Sequence, residues 1–180
     1  EGLRAEMKAS TQMTARQLRY AWFEQLADEY GYSCIATAHH SNDVLETLLL
    51  NLSKGTGISG FHGILPKSGR LIRPMLFASR GDLEDYAHEH GVLWREDRSN
   101  ATTDYQRNLL RHEVVPVLKR INPNIEQSVL ETAERLRLTE QFFMAQVEHI
   151  RQDAMKQIGS RWQISLEKLR QVPHFEIILY

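Results

Sequence analysis

Thr37-Ala38-His39-His40-Ser41-Asn42-Asp43-Val44-Leu45-Glu46-Thr47 is the stretch that decides the fold class. It overlaps a short apolar run at residues 33–38, in which small and β-branched residues predominate, as is typical of a buried strand. Residues 42–53 follow, with leucines at helical spacing on one face: Leu45, Leu48, Leu49 and Leu52. A strand followed directly by a helix predicts an α/β unit with parallel strands.

The segments on either side extend this pattern. Residues 15–30 repeat apolar side chains at helical spacing and stop at Gly31, which predicts a helix before the strand. Residues 63–76 look extended, with a turn at Lys67-Ser68-Gly69. Ser79 is a suitable N-cap for a helix over residues 80–90. The expected fold is therefore a partial Rossmann-like parallel sheet with flanking helices.

The second half of the chain is predicted to be mostly helical. Residues 106–120 have helical spacing, within which Pro116 should kink or break the helix. Asn122-Pro123-Asn124 marks the clearest boundary. A long helix should then run to about residue 157 and end at Gly159, before a possible strand at residues 162–166.

The glycines of Gly55-Thr56-Gly57-Ile58-Ser59-Gly60 have the spacing of a dinucleotide-binding loop. That motif requires a strand before it and a helix after it. Here a predicted helix precedes the glycines, and residues 61–66 do not look helical. We therefore interpret the segment as a loop that leaves a helix.

Composition limits the protein class. The chain has 180 residues, a net charge of −1 and no apolar run long enough to span a membrane. This balance does not favour a nucleic-acid binder, so any RNA contact must come from local clusters, of which the best is Arg107, Arg111, Lys119 and Arg120. Cys34 is the one cysteine; it excludes an internal disulfide, is expected to be inert in the core, and favours a cytoplasmic setting.

Asp43 and Glu46 form the first candidate site. They follow the predicted strand at the edge where open α/β sheets bind ligands, and their spacing puts them on one helix face. Two carboxylates there could hold magnesium on a nucleotide, and His39 or His40 could donate to a polar substrate group. The same spacing also fits a helix capping box, so both interpretations stay open.

Pairs of arginines form two further candidates. Arg107 and Arg111 are neighbours on a helix and suit a phosphate, a carboxylate or RNA backbone. The spacing alone favours a solvated helix face with Glu113 nearby, because charge runs are common. The polar segment Asp97-Arg98-Ser99-Asn100 precedes them. Arg16 and Arg19 share one helix face and mean little by themselves.

Taken in order, these segments resemble the tRNA(Ile)-lysidine synthetases of the N-type ATP pyrophosphatase superfamily. The resemblance covers roughly residues 14–124, and it rests on motifs that are individually weak but specific as an ordered set: Ala15-Arg16 with Arg19-Tyr20, His39-His40 with Asp43 and Glu46-Thr47, the glycine loop, Arg73-Pro74-Met75-Leu76, Asp97 with Ser99-Asn100, and Arg107-Asn108 with Arg111-His112. The resemblance implies an ATP-dependent ligase that attaches L-lysine to the wobble cytidine of tRNA(Ile).

The implied reaction has two steps. ATP adenylates the cytosine carbonyl oxygen with release of pyrophosphate, and a lysine amine then displaces AMP. The resemblance implies that Asp43 recognises the lysine amine or Mg²⁺ and that Glu46 supports that site. Arg107 and Arg111 are the other implied catalytic residues, and they would engage the lysine carboxylate, the phosphates or the tRNA. The implied substrate- or nucleotide-binding residues are His39, His40, Arg16, Arg19 and Asn108.

Two departures from the family pattern stand out. The family's phosphate loop, Ser-Gly-Gly-x-Asp-Ser, does not occur in the sequence, so the chain is expected to be a fragment that is inactive alone. Asn42 stands where the family usually has aspartate, which puts a carboxylate role at that position in doubt.

The resemblance also divides the chain. Residues 1–121 would be the C-terminal part of the catalytic domain, and residues 122–180 a helical linker and the start of a tRNA-contacting middle domain. A homodimer is possible. Two alternatives stay open: a tRNA cytidine thiolase, which would rely on cysteine pairs, and a non-catalytic tRNA-binding fragment.

Overall fold

The computed structural model describes residues 11–95 and 105–174. The predicted Asp97–Asn100 loop lies outside the described residues. By their internal contacts the residues form two compact units, Glu1–Ala133 and Glu134–Tyr180. The predicted domain boundary after residue 121 stays a prediction.

The first unit is built on a small mixed sheet. Helix α1 (Thr11–Tyr30) leads to strand β1 (Ile35–Ala36), and a hairpin of β2 (Lys67–Ser68) and β3 (Leu71–Ile72) completes the sheet. β1 pairs with β3 in parallel and β2 pairs with β3 antiparallel, so the strand order is β1-β3-β2. The predicted α/β class with parallel strands is confirmed. The turn predicted at Lys67-Ser68-Gly69 lies slightly later, because Lys67 and Ser68 form β2 and the hairpin turns at Gly69 and Arg70.

The strand itself is shorter and less buried than predicted. β1 has two residues, and Cys34 is exposed, so the expectation that this cysteine lies in the core was wrong. The reason is that β1 has one pairing partner in the described sheet, β3, and therefore lies at its edge.

Helix α2 (Ser41–Lys54) carries the centre of the core. Val44 and Leu45 are almost completely buried, and Val44 packs with Leu76 and Ala133. Helix α2 ends at Lys54, so a helix and not a strand precedes the glycine motif, as predicted. The short helix α3 (Ile58–Phe61) begins inside the motif, so the interpretation of the segment as a loop was wrong for its second half.

Helix α4 (Arg80–Glu89) begins where the sequence predicted. The Ser79 hydroxyl accepts from the Asp82 N–H at 3.1 Å, and the Asp82 carboxylate accepts from the Ser79 N–H at 2.7 Å. Hydrogen bonding of the Asp82 carboxylate to the Ser79 side chain and to the Ser79 backbone N–H lowers the pKa of Asp82, because it stabilises the charged form. The helix starts with a complete capping box.

The segment from residue 105 to 121 is helical throughout, but its hydrogen bonding changes. Helix α5 (Tyr105–Leu109) runs into a π-helical turn, Leu110–Val114, and then into α6 (Val115–Ile121). The Val115 N–H donates to the Leu110 carbonyl five residues back. Because Pro116 has no N–H to donate, the turn can widen at this point without losing a further backbone hydrogen bond. The predicted disturbance at Pro116 is thus a π-helical turn rather than a break.

Helix α7 (Ile125–Ala154) starts after Asn122, as predicted, and contributes residues to both units. In the second unit it is followed by strands β4 (Met155–Ile158) and β5 (Arg161–Ile164), which pair antiparallel, and by helix α8 (Leu166–Gln171). Gly159 has a positive φ of 62° in the hairpin turn, so its predicted role as a helix terminator was wrong. Although α7 has 30 residues, neither it nor another helix in the described part of the chain is apolar enough to cross a membrane.

Gly63 should be sensitive to substitution for two reasons, its backbone conformation and its packing. Its φ is +62°, and an added Cβ would lie 3.1 Å from Val44 Cγ1 and 3.3 Å from the Val44 carbonyl oxygen. A left-handed residue with a side chain costs about 1–2 kcal/mol, and overpacking adds about 1–3 kcal/mol. Gly63→Ala should therefore lower the free energy of unfolding, measured by urea titration.

Gly69→Ala is the matched control. Gly69 has a φ of +59° and no atom within 4 Å of an added Cβ, so this variant should show the conformational cost alone. Equal losses for the two variants would contradict the packing of Gly63 against Val44.

Candidate active site

The predicted site residues lie where β1 meets α2. The Thr37 N–H donates to the Ile72 carbonyl at 3.0 Å, which holds the chain beside β3 just past the end of β1. The Thr37 hydroxyl lies 2.9 Å from His39 Nδ1. His39 and His40 therefore occupy the carboxyl edge of a parallel strand pair, which is the usual ligand edge of such sheets.

His40 and Asp43 form the cap of α2. His40 is the N-cap residue, and Asp43 Oδ2 accepts from the His40 N–H at 2.9 Å and lies 3.5 Å from His40 Nε2. The predicted alternative, a capping box of Asp43 with Glu46, was wrong by one helical turn, because α2 begins before Asn42. Both contacts use Oδ2, so within the described residues Oδ1 of Asp43 stays available for a ligand.

Glu46 is committed to Arg111. Arg111 Nε lies 2.7 Å from Glu46 Oε1, and Nη2 lies 3.0 Å from Oε2, which is a bidentate ion pair. The Glu46 side chain is 3% exposed and that of Arg111 is 33% exposed. The hydrogen bond to Glu46 raises the pKa of Arg111, against the opposing influence of burial. This pair joins α2 to the π-helical turn.

His39 lies in cationic surroundings. Burial lowers the pKa of His39, and the charges of Arg73, Arg16 and Arg107 lower it further, while Asp43 opposes them. The imidazole is therefore neutral at pH 7. These interactions also show that Arg16 and Arg107, from two separate helices, lie close to the strand edge.

A cavity of about 1100 Å³ opens beside these residues. Its charged and polar lining includes His40, Asp43, Glu46, Arg111 and Lys119. An apolar set lies on other parts of the lining: Leu45, Leu83, Ala87, Trp94, Val115 and Pro116. A cavity with both kinds of lining suits a ligand that combines an aromatic ring with charged groups.

Not all predicted residues join this cavity. Arg16 lies over the Tyr20 ring at 5.0 Å. Arg19 is exposed on α1, and in residues 11–95 and 105–174 no hydrogen bond or ion pair is seen from it to the cavity. Asn108 is half-buried on α5 and does not line the cavity.

Two of the four residues of the predicted basic cluster form ion pairs within the first unit. Arg111 is bound to Glu46, and Lys119 Nζ lies 2.6 Å from Glu126 Oε1. Arg120 is exposed. The cluster therefore stabilises the first unit more than it forms an open RNA surface.

Several residues at the site were missed by the sequence analysis. Asn42 bonds to Arg80 and to Glu126, and Trp94 lines the cavity. Trp94 ends a brief apolar stretch, residues 92–94, whose sequence gives no indication of a binding role. The partners of Asn42 lie 38 and 84 residues away, so no local spacing could have indicated them.

A magnesium ion held jointly by Asp43 and Glu46 does not fit this geometry. Both oxygens of Glu46 are bound by Arg111, and its side chain is buried. Within the described ranges no group of three or more His, Cys, Asp or Glu could hold a metal ion. Of these two carboxylates, it is Asp43 that retains an oxygen, Oδ1, which a hydrated ion could reach.

The sequence is similar to one domain family and to several proteins of known name. Residues 3–118 match the PP-loop domain family. The chain is 37% identical to the tRNA(Ile)-lysidine synthase of Parabacteroides distasonis over 97% of this chain and 39% of that protein. It is 36% identical to that of Porphyromonas gingivalis over 97% of this chain and 38% of the relative. It is 40% identical to the tRNA(Ile)-lysidine synthase of Bacteroides thetaiotaomicron over 73% of this chain and 31% of that protein. The chain thus spans about two fifths of the length of the relatives that it matches over most of its own length.

The Glu46–Arg111 pair should respond asymmetrically to truncation. Arg111→Ala leaves a carboxylate that is 3% exposed without its partner, and breaking a buried pair costs about 3–5 kcal/mol. Glu46→Ala leaves a guanidinium that is 33% exposed and can turn to water, so we expect a smaller loss of about 1.5–3 kcal/mol. Chemical unfolding of both variants measures the difference.

The control for this comparison is Arg137→Ala, which removes an exposed pair with Glu134 on α7. Exposed pairs contribute at most about 1 kcal/mol, so this variant should stay near wild type. A larger loss for Glu46→Ala than for Arg111→Ala would contradict the burial of the carboxylate.

His39 should make stability depend on pH. Its folded-state pKa lies below the ordinary value of 6.5, so the unfolded chain binds the proton first. The contribution of neutral His39 is therefore complete above pH 6.5 and is lost as pH falls through the folded-state pKa. The free energy of unfolding should fall over this window, and His39→Asn should flatten the fall. An NMR titration that gives the His39 ring a pKa at or above 6.5 would contradict the burial argument.

Proposed function

Because this chain belongs to the PP-loop domain family, we propose that it forms part of an ATP-dependent ligase that joins L-lysine to the wobble cytidine of an isoleucine tRNA. The observation that carries the proposal is the cavity in which Asp43, His40 and the paired Arg111 meet an apolar lining. The relatives named tRNA(Ile)-lysidine synthase support the choice of substrates.

The proposed reaction consists of two displacements. The cytosine O2 attacks the α-phosphorus of ATP, and pyrophosphate leaves. A lysine amine then attacks C2, the bond from C2 to the AMP oxygen breaks, and the amine loses a proton. The protein's main contribution would be to position the reactants and to stabilise the charge that develops.

Asp43 would bind the lysine ammonium. Its Oδ2 is fixed by the His40 N–H, which leaves Oδ1 to face a cationic ligand. His40 lines the same cavity, and its buried Nδ1 has no hydrogen-bond partner within the described residues, so a substrate group could satisfy it.

Arg111 would bind an anionic group, either the lysine carboxylate or a phosphate. A guanidinium has five N–H donors, and Glu46 takes one from Nε and one from Nη2. The remaining donors are oriented by that pair, so Glu46 would be a positioning residue. Arg107 and Arg16 would add positive charge near His39, whose neutral ring avoids a further buried charge.

The apolar lining would hold the base. Trp94, Leu83 and Ala87 offer flat or small surfaces near the charged groups, and base–aromatic stacking contributes about 1–3 kcal/mol per base. Mg²⁺ would be held chiefly by the phosphates of ATP, since within the described residues no group of three or more His, Cys, Asp or Glu could hold a metal ion.

The thiolase alternative has less support. Its chemistry would rely on paired cysteines, and the sequence has one, Cys34. We also propose that residues 122–180 contact the tRNA. A homodimer is a separate proposal. A chain that only binds tRNA would have no need for an oriented Asp43 carboxylate in the same cavity as the Glu46–Arg111 pair.

Asp43→Asn in the full-length protein should abolish most activity. The substitution keeps the shape of the side chain but removes the charge that would bind the ammonium. We expect a loss of about 100-fold in kcat/KM for lysine, comparable with the loss of one oriented electrostatic contact. Mass spectrometry of nucleosides from modified tRNA measures lysidine directly.

Asp85→Asn is the control, because Asp85 is exposed on α4 and does not line the cavity. It should leave the rate unchanged. Formation of lysidine by Asp43→Asn at the wild-type rate would remove Asp43 from the site. Absence of lysidine after incubation of the wild-type full-length protein with ATP, lysine and tRNA(Ile) would overturn the proposed function.

A further inference from the structure

Asn42 joins the first turns of three helices. It is the second residue of α2, and its Oδ1 accepts from the N–H of Arg80, the first residue of α4, at 2.8 Å. Its Nδ2 donates to Oε1 of Glu126, the second residue of α7, at 2.8 Å. One amide therefore satisfies a helix N–H that has no partner inside α4 and also binds a carboxylate.

Glu126 is the anion at this junction. It is 6% exposed, and its Oε1 also receives Lys119 Nζ at 2.6 Å. Its position in the first turn of α7 favours negative charge. The buried charge is thus compensated by a lysine, an amide donor and a helix terminus.

The junction requires an amide at position 42. A carboxylate could accept from the Arg80 N–H, but it has no hydrogen to donate to Glu126. Two carboxylates at 2.8 Å would repel each other, and one would have to bind a proton. A backbone hydrogen bond also holds the start of α2 beside the start of α4: the Ser41 N–H donates to the Ala78 carbonyl at 2.9 Å.

The junction adjoins the candidate site on both sides. Asp43 follows Asn42 directly on α2, and α4 supplies Leu83 and Ala87 to the cavity lining. Asn42 and Lys119 line the same cavity. Movement of α4 relative to the start of α2 would change the separation between the ammonium site and the apolar lining.

We propose that Asn42 is a positioning residue, which holds α4 and α7 against the start of α2 and so sets Asp43 relative to the apolar lining of the cavity. The role in catalysis rests on the proposed function. It is distinct from the roles of Asp43 and Arg111, because Asn42 acts through its neighbours and both functional groups of its amide are already bound.

The test exchanges donor and acceptor across the junction in the full-length protein. Asn42→Asp should raise the KM for lysine at least tenfold, with a smaller change in kcat, because it places two carboxylates together. The double variant Asn42→Asp with Glu126→Gln restores one donor and one acceptor and keeps a carboxylate for Lys119. Its KM should return to within threefold of wild type. Glu126→Gln alone is the matched control and should stay within threefold.

Asn42→Ala keeps the test decisive if Asn42→Asp fails to fold, since it removes both bonds without adding charge. It should also raise the KM for lysine. A wild-type KM for a folded Asn42→Ala, or no rescue in the double variant, would overturn the proposal.

An NMR titration separates this proposal from the proposed function. Asp43 opposes the influences that lower the pKa of His39. Displacement of Asp43 in Asn42→Ala should therefore lower the His39 pKa further, whatever reaction the protein catalyses. An unchanged His39 titration would contradict the positioning role even where the wild type makes no lysidine.

Discussion

The bidentate ion pair between Glu46 and Arg111 is the contact on which the rest of the site depends. It joins the helix that follows β1 to the π-helical turn, and it is largely removed from water. A buried carboxylate without this partner would have to bind a proton or draw in water. With the pair in place, Asp43 and Arg111 line a common cavity, and Arg107 lies near His39. The widened turn at Leu110–Val114 belongs to the same arrangement, because it contains Arg111. π-Helical turns occur frequently at functional sites.

The distribution of charge explains why composition gave so little indication of function. The net charge is −1, and the basic residues near the cavity are matched by acids within the first unit. Glu46 fixes the direction of Arg111, and Glu126 fixes Lys119. Both cations line the cavity, whereas other basic side chains such as Arg19 and Arg120 are exposed. A net charge near zero is therefore compatible with positive charge at the cavity.

Local sequence predicted the features that local physics determines. The helix at α2, the N-cap at Ser79 and a sheet with parallel strands were all expected, because each follows from side-chain periodicity, capping chemistry or the order of elements. The burial of Cys34 and the role of Gly159 were predicted wrongly, because both depend on which other strands pair nearby.

Long-range contacts account for what the sequence could not provide. The motif around Asp43 and Glu46 identified the site, but not that Arg111 occupies both oxygens of Glu46. The junction at Asn42 depends on a partner 84 residues away, and its need for an amide follows only from the charge of Glu126.

The central claim is that the helix after β1 and the basic helical segment form one cleft through Glu46 and Arg111. A double-mutant cycle with Glu46→Ala and Arg111→Ala, read by chemical unfolding, tests it most directly. We expect a coupling free energy of about 2–3 kcal/mol, since residues in one ion pair interact strongly. Losses that add within about 0.5 kcal/mol would show that the two side chains do not meet, and would contradict the account.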